Sequence, residues 1–251
     1  MRRREFIALL GGAAAIRPLG AHAERQPARI LYFTHSAGYR HDVIPLSKTI
    51  LAQLGSHSGV FEVTATEDTS EFSTENLGRY AAVMFYTSGE LPMGEAQRAA
   101  LLDFVRSGRG FVGVHSATDT FYTWPDYLDL VGGYFNGHPW HQPVTIEVVD
   151  PGDPLVDFLG NSLQVDDEIY QISDFDYGGS RVLLRLDPSS VDLQKPGVHQ
   201  RPYGWPLAWT RFYGQGRVFY TALGHEASVW QDARYQRILT NAILWSTRRS
   251  P

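Results

Sequence analysis

The first half of the chain alternates short apolar runs with longer segments in which apolar residues recur at helical spacing. A short apolar run indicates a buried strand, and recurrence every three or four residues indicates an amphipathic helix. Proline is tolerated near the start of a helix and glycine commonly ends one, as Pro45 and Gly108 do here. The pattern predicts strands at residues 29–33, 60–64, 81–86 and 110–114 and helices at residues 43–57 and 95–107.

Strands that alternate with helices imply right-handed crossover connections and a mainly parallel sheet, so the predicted fold class is α/β. In such sheets, ligands bind beyond the carboxyl ends of the strands. This rule brings three loops together, at residues 34–42, 87–90 and 115–120. We therefore expect the functional site where these loops meet.

The second half of the chain is richer in β-forming and aromatic residues. Strands are predicted at residues 144–149, 168–172, 181–186, 207–210 and 217–223, and a helix at about residues 235–247. The turn Gly214-Gln215-Gly216 is predicted to form a hairpin before the last strand. The segment 187–203, rich in proline and polar residues, is predicted to be a long surface loop.

The first 23 residues have the features of an export signal. Arginines at positions 2–4 precede a short apolar stretch, and Ala21-His22-Ala23 supplies the small residues that a signal peptidase recognises. The arginines resemble the twin-arginine export motif. Because the apolar run is shorter than the roughly 20 residues that span a bilayer, cleavage is preferred to an uncleaved anchor. The prediction is a periplasmic protein with one domain, residues 24–251, and no stable membrane insertion.

The amino-acid composition argues against several classes of partner and of chemistry. Of the 251 residues, 43% are hydrophobic and 20% are charged, which is an ordinary globular composition. The net charge of −5, without a long basic stripe, argues against nucleic acid as a partner. The chain has no cysteine, which excludes disulfides, thiolate ligands and a cysteine nucleophile. No motif indicates a nucleotide cofactor. Both a monomer and a homo-oligomer are compatible with the sequence.

Histidines recur where the predicted strands end. His41, His115 and His225 lie in loops that should meet at one end of the sheet, and His138 and His141 lie in FNGHPWHQ. Taken singly, each is more simply a polar loop residue bonded to backbone. Taken together, two or three imidazoles and a carboxylate suit a divalent metal such as zinc with an open coordination position. We predict metal ligation by His41, His115, His138 and His225.

Acidic residues offer partners for these imidazoles. Asp166, Asp167 and Glu168 are adjacent, and like charges so close raise one another's pKa, which suits an acid–base role. A solvated acidic turn is an equally simple interpretation. Asp119 follows the turn after His115 and either orients that imidazole or caps the next helix.

The segment GVHSA differs from the G-x-S-x-G nucleophile elbow, because His115 takes the central position and Ser116 follows it. Ser116 is therefore badly placed as a nucleophile. A histidine at a strained turn, beside backbone N–H groups, suits binding of a substrate oxygen or a metal-bound water. Trp124 and Trp140 flank the histidine loops and are the predicted substrate-facing aromatic residues, with simple packing as the alternative.

Together these motifs resemble the trehalose-utilisation (ThuA-like) family. The matching segments occur in order along the predicted mature chain: AGYRHDVI (37–44), GRGFVGVHSATDTFYTWP (108–125), LVGGYFNGHP (130–139), DEIY (167–170) and GRVFYTALGHEASVW (216–230). The resemblance implies a flavodoxin-like three-layer sandwich similar to the class I glutamine amidotransferases. It also implies that His115 occupies the turn of their catalytic cysteine and His225 the region of their catalytic histidine. Without a thiol, glutamine hydrolysis through a thioester is excluded.

The resemblance and the residue patterns together assign the candidate site. The predicted catalytic residues are His115, His225, Glu168 and Asp167. The predicted substrate-binding residues are Arg40, Ser116, Asp119, Trp124, Trp140 and Tyr170. His35 and Asp153 depart from the family's pattern and receive no role.

The family's association with disaccharide breakdown and with formation of 3-keto sugars implies a carbohydrate substrate. The leading hypothesis is an exported enzyme that acts on a glycoside or 3-keto sugar by histidine and carboxylate acid–base chemistry, with a divalent metal stabilising an enediolate. Hydrolysis by a matched pair of carboxylates is a variant of it. The alternatives are a non-catalytic carbohydrate-binding protein on a degenerate amidotransferase scaffold, and a protein–protein scaffold in a periplasmic oxidoreductase system.

Overall fold

A computed structural model describes residues 26–250, so the predicted export signal lies outside the described residues. The first four strands are β1 (Ala28–Phe33), β2 (Phe61–Thr66), β3 (Ala82–Phe85) and β4 (Gly110–Val114). The helices among them and after them are α1 (Ile44–Ser58), α2 (Thr74–Leu77), α3 (Glu95–Arg106) and α4 (Pro125–Val131). The predicted strands and the two predicted helices of this half are confirmed. Helix α2 was not predicted, and α4, the helix after Asp119, was anticipated without bounds and begins after Trp124 instead of at Asp119.

The second half of the described chain adds seven strands and two helices. The strands are β5 (Tyr134–Phe135), β6 (Trp140–Val148), β7 (Ser162–Ile169), β8 (Ile172–Ser173), β9 (Ser180–Leu186), β10 (Pro206–Tyr213) and β11 (Gly216–Thr221). The helices are α5 (Ala227–Gln231) and α6 (Ala233–Ser246). The strand predicted at residues 168–172 is wrong in its bounds, because it spans the break between β7 and β8.

Nine strands form one sheet in the order β2-β1-β3-β4-β11-β10-β9-β6-β7, and β5 pairs with β8 in a small second sheet. Neighbouring strands from β2 to β11 are parallel. Those from β11 to β7 are antiparallel, beginning with the predicted hairpin between β10 and β11. The α/β class is therefore confirmed, with the parallel half of the sheet formed by the alternating strands and helices.

Helices cover both faces of the parallel half. Helices α1, α5 and α6 pack against one another on one face. Helices α2 and α3 contact each other on the opposite face, and α4 joins the core there as Tyr127 packs against Phe85 and Phe111. Strands β3 and β4 are buried along their whole length, which explains their continuous apolar sequences. Within residues 26–250, no helix is both long enough and apolar enough to cross a bilayer.

The contact between β4 and α6 requires glycine at position 110. A Cβ atom on Gly110 would lie 2.8 Å from Cβ of Ala82 and 2.8 Å from Oγ of Ser246. We expect Gly110→Ala to lower the free energy of unfolding by about 1–3 kcal/mol, because the added methyl group fits only if β4 or α6 moves. Urea denaturation measures this effect. In the control Gly178→Ala, the nearest atom is 3.9 Å away, and the change should stay below about 0.5 kcal/mol.

Candidate active site

His115 stands at a sharp turn directly after β4. Its φ of +45° lies in the left-handed region, which residues other than glycine rarely adopt. The imidazole is fully buried, and its Nδ1 donates a hydrogen bond of 2.7 Å to the carbonyl of Ala222. Because a carbonyl only accepts, Nδ1 carries a proton, and Nε2 is the ring nitrogen that faces the other side chains of the site. The turn thus presents an imidazole nitrogen where a nucleophile elbow presents its nucleophile.

Glu168 and His225 lie next to Nε2 of His115. Nε2 of His115 lies 3.5 Å from Oε2 of Glu168 and 3.3 Å from Nδ1 of His225. The same Nδ1 lies 3.3 Å from Oε2 of Glu168. Burial acts to raise the pKa of Glu168, but hydrogen bonds with both histidines outweigh it and hold that pKa well below its ordinary value. The hydrogen bond to Glu168 raises the pKa of His225 in turn.

His41 completes the cluster from the loop after β1. Its ring centroid is 4.8 Å from that of His115 and 5.1 Å from that of His225. Burial and the two neighbouring histidines lower the pKa of His41 to about 3, so its ring is neutral. Its Nδ1 is buried and has no hydrogen-bond partner among the described residues. One ligand atom from each of His41, His115, Glu168 and His225 lies within 4.8 Å of the others.

These four residues, called the His3Glu cluster below, fit a divalent transition metal. Neutral imidazoles and a carboxylate are ligands that zinc and similar ions accept. A buried imidazole nitrogen without a partner, such as that of His41, is costly unless something binds it. The carbonyl of Ala222 fixes the tautomer of His115, as acceptors behind metal-bound histidines commonly do.

Glu168 reaches the cluster from a distant strand. Strand β7 is the outermost strand of the antiparallel half, whereas β4 lies in the middle of the sheet. The sheet therefore has to curl for Glu168 to approach His115. Strand β7 also contacts α5, the helix that follows His225. The candidate site thus combines side chains from both halves of the sheet.

The His3Glu cluster opens into a cavity of about 390 Å³, called the main lobe below. Apart from cluster residues, its lining consists of three aromatic side chains and two titratable ones: Tyr39, Phe135, Tyr170, Asp119 and His138. A volume of this size is typical of small-molecule sites. The position of the main lobe agrees with the rule that placed the site beyond the carboxyl ends of the parallel strands.

Two titratable side chains line the main lobe outside the cluster. Nδ1 of His138 lies 3.2 Å from Oε1 of Glu168, the oxygen that does not face His115. Oδ1 of Asp119 accepts a 2.7 Å hydrogen bond from the hydroxyl of Tyr122, and burial raises the pKa of Asp119. Both side chains could exchange protons with a molecule in the lobe.

The sequence of the chain matches a known protein family. The ThuA family profile, described as trehalose utilisation, matches residues 29–246. The chain belongs to the ThuA family. No curated protein is significantly similar to it.

Several solved structures resemble this member of the ThuA family over most of its length. A ThuA-like protein from Bacteroides uniformis ATCC 8492 is 25% identical with a TM-score of 0.76, covering 90% of this chain and 94% of that one. A ThuA-like protein from Parabacteroides merdae ATCC 43184 is 20% identical with a TM-score of 0.68, covering 88% and 90%. A β-galactosidase from Bacillus circulans sp. alkalophilus is 14% identical with a TM-score of 0.56, and the match covers 90% of this chain but 32% of that enzyme. The similarity to the β-galactosidase shows a shared fold and nothing more.

Asp167, predicted to be catalytic, lies beside the main lobe of the ThuA chain. Its side chain points to the opposite side of β7 from that of Glu168, because successive residues of a strand alternate. Oδ2 accepts a hydrogen bond of 2.7 Å from the backbone N–H of Gly224, and Oδ1 accepts one of 3.0 Å from that of Glu226. Gly224 has a φ of +122°. These bonds hold the loop that carries His225, so Asp167 positions a member of the cluster.

The two predicted substrate-facing tryptophans of this ThuA chain lie outside the main lobe. Trp140 is fully buried, and its Nε1 donates to the carbonyl of Asp192 at 3.0 Å. Trp124 packs beneath the guanidinium of Arg98 on α3, at 5.3 Å from the ring centroid. Both rings pack within the fold around the site, and burial of Trp140 is favourable because its N–H has a partner.

The remaining predicted binding residues are divided between the lobe and its surroundings. Asp119 and Tyr170 line the main lobe. Arg40 is exposed and makes a bidentate ion pair with Glu67, both bonds being 2.9 Å. Ser116 is buried next to His115, and its hydroxyl has no hydrogen-bond partner in the part of the chain described.

Three residues near the cluster were not singled out in the sequence, although all three lie inside the ThuA motifs. Tyr39 belongs to AGYRHDVI and Phe135 to LVGGYFNGHP. Glu226 pairs with His141 at 2.7 Å beside His225. Each lies within three residues of a predicted histidine, and that proximity could have indicated them.

Proposed function

We propose that this protein is a metal-dependent enzyme that processes a carbohydrate, either a glycoside or a 3-keto sugar. The observation that carries the proposal is the convergence of the His3Glu cluster at the base of the main lobe. Membership of a family described by trehalose utilisation supports the substrate class. The arginine-rich sequence of residues 1–23 supports action after export, in the periplasm.

The lining of the main lobe suits a sugar. Aromatic rings of Tyr39, Phe135 and Tyr170 can pack against the C–H faces of a pyranose, and the carboxyl group of Asp119 can form hydrogen bonds with hydroxyls. A cation on the His3Glu cluster would supply positive charge beside a substrate oxygen that becomes negative. In this proposal His115 and His225 hold the cation, so proton transfer falls to other side chains.

His138 is the proposed proton acceptor. Its Nδ1 faces Glu168, and a bond donated to that carboxylate leaves the lone pair on Nε2. A ketone at C3 of a sugar acidifies the hydrogen at C2. Transfer of that proton to Nε2 of His138 lets the electron pair form a C1=C2 double bond while the C1–O bond breaks. Asp119 protonates the leaving oxygen, so the products are an enone and a free alcohol, and solvent returns the proton from His138 to Asp119.

Metal analysis combined with turnover tests the proposal. We expect the purified protein to bind one divalent cation per chain and to convert 3-keto glycosides, and a chelator to abolish turnover until metal is restored. His138→Gln should keep the metal and lose turnover by about 100-fold or more, because proton transfer contributes roughly that much. His57→Gln, at an exposed position on α1, is the control. Sugar binding without metal or turnover would contradict the proposal and indicate a binding protein.

A further inference from the structure

A second cavity adjoins the main lobe. It has a volume of about 300 Å³ and is called the side lobe below. Tyr39, His41 and His225 line both lobes. Two members of the His3Glu cluster therefore stand at the junction of the lobes, so a ligand bound at the cluster can extend in both directions.

The walls of the side lobe are apolar on one side and acidic on the other. Val43 and Leu46, at the start of α1, form the apolar part, and Asp42 and Glu226 supply carboxylates. Oε1 of Glu226 lies 2.7 Å from Nε2 of His141, which fixes its direction. Carboxylates accept hydrogen bonds from hydroxyl groups, whereas they repel phosphate or carboxylate groups of a ligand. The lining is therefore suited to a neutral polyhydroxyl compound.

Tyr39 stands between the two lobes with its ring accessible. The residue is 61% exposed, and its ring lies edge-on to His41 with the centroids 4.8 Å apart. Its loop is held in place, because Oγ of Ser88 donates a 2.6 Å hydrogen bond to the carbonyl of Tyr39 and Gly38 packs on Gly89. An exposed aromatic ring on an anchored loop is a ready surface for the apolar face of a sugar.

We propose that the side lobe is the subsite for a second sugar unit, so that the substrate is a neutral disaccharide or a longer glycoside that spans the cluster. The main lobe holds the unit that loses its C2 hydrogen, and the side lobe holds the unit that leaves as the alcohol. The bond placed at the junction is then the glycosidic C1–O bond. This inference rests on the proposed function, since it assigns the leaving group of that reaction.

Blocking the side lobe tests the inference. Ala227 is exposed and lines the side lobe, whereas its exposed neighbour Ser228 does not, so Ala227→Trp and Ser228→Trp form a matched pair. The probes are glucose, glucose 6-phosphate, gluco-disaccharides of different linkage and the 3-keto forms of those disaccharides. Calorimetry gives affinity, turnover gives KM, and metal content is measured for each variant.

We expect the wild-type protein to bind one disaccharide at least about 10-fold more tightly than glucose, which corresponds to about 1.4 kcal/mol. Ala227→Trp should remove that preference and leave glucose affinity and metal content unchanged, while Ser228→Trp behaves as wild type. Equal affinity for glucose and every disaccharide, equal weakening of both by Ala227→Trp, or a preference for glucose 6-phosphate would overturn the inference. A wild-type protein without metal or sugar binding would instead overturn the proposed function.

Discussion

His115→Asn should remove metal binding and turnover while the fold persists. Asparagine tolerates the left-handed backbone conformation at this position, and its amide can donate to the carbonyl of Ala222 in place of Nδ1. It cannot present a nitrogen lone pair to the His3Glu cluster. The loss of metal affinity should exceed the roughly 10–100-fold that loss of an outer partner of a metal ligand costs.

The His115→Asn effect is measured by titration with zinc against a competing chelator, together with turnover. Circular dichroism and thermal unfolding of the metal-free proteins check that the fold is retained. His57→Asn, at an exposed position far along α1, should match wild type in every measurement. Wild-type zinc affinity in His115→Asn would show that His115 is not a ligand, and the metal assignment would then fail.

Asp167→Ala should cost both stability and metal affinity. The substitution removes the acceptor for the N–H groups of Gly224 and Glu226 in a buried place. A buried donor left without a partner costs about 1–3 kcal/mol, so we expect the free energy of unfolding to fall by about 2–4 kcal/mol. The released loop carries His225, and metal affinity should fall roughly 10–100-fold, as for other residues that orient a ligand.

Urea denaturation of the metal-free protein and zinc titration separate the two effects of Asp167→Ala. Asp166 provides the control, because it neighbours Asp167 on β7 but is exposed. Asp166→Ala should change stability by less than about 0.5 kcal/mol and leave zinc affinity unaltered. Unaltered zinc affinity in Asp167→Ala would show that the loop holds His225 without this carboxylate.

Much of the fold was predictable from apolar spacing. Strand β4 was predicted closely because it is a continuous apolar run that ends at polar residues, and helix α3 because it is long enough for its period to be unambiguous. Strand β7 was not, because Leu163 is the only buried residue of its first five and acidic residues occupy positions 166–168. Helix α5 was missed and the bounds of α4 were not predicted, because each is too short to establish a helical period.

The approach of the histidines was predictable, and the direction of individual side chains was not. His41, His115 and His225 were expected together because parallel strands end on the same side. The division between Glu168, which faces the cluster, and Asp167, which does not, depends on the register of β7 against β6. Sequence alone does not determine that register. In the same way, Trp140 is an aromatic residue beside a histidine loop, yet its ring points into the core.

Glu168 lies on the outermost strand, at a free edge of the sheet. An outer strand presents unpaired backbone groups, on which another chain can add in edge-to-edge aggregation. Here the end of β7 is tied down by the bonds of Asp167 to the loop after β11 and by the contacts of Glu168 with three histidines. The residues that assemble the site therefore also hold one end of this sheet edge in place.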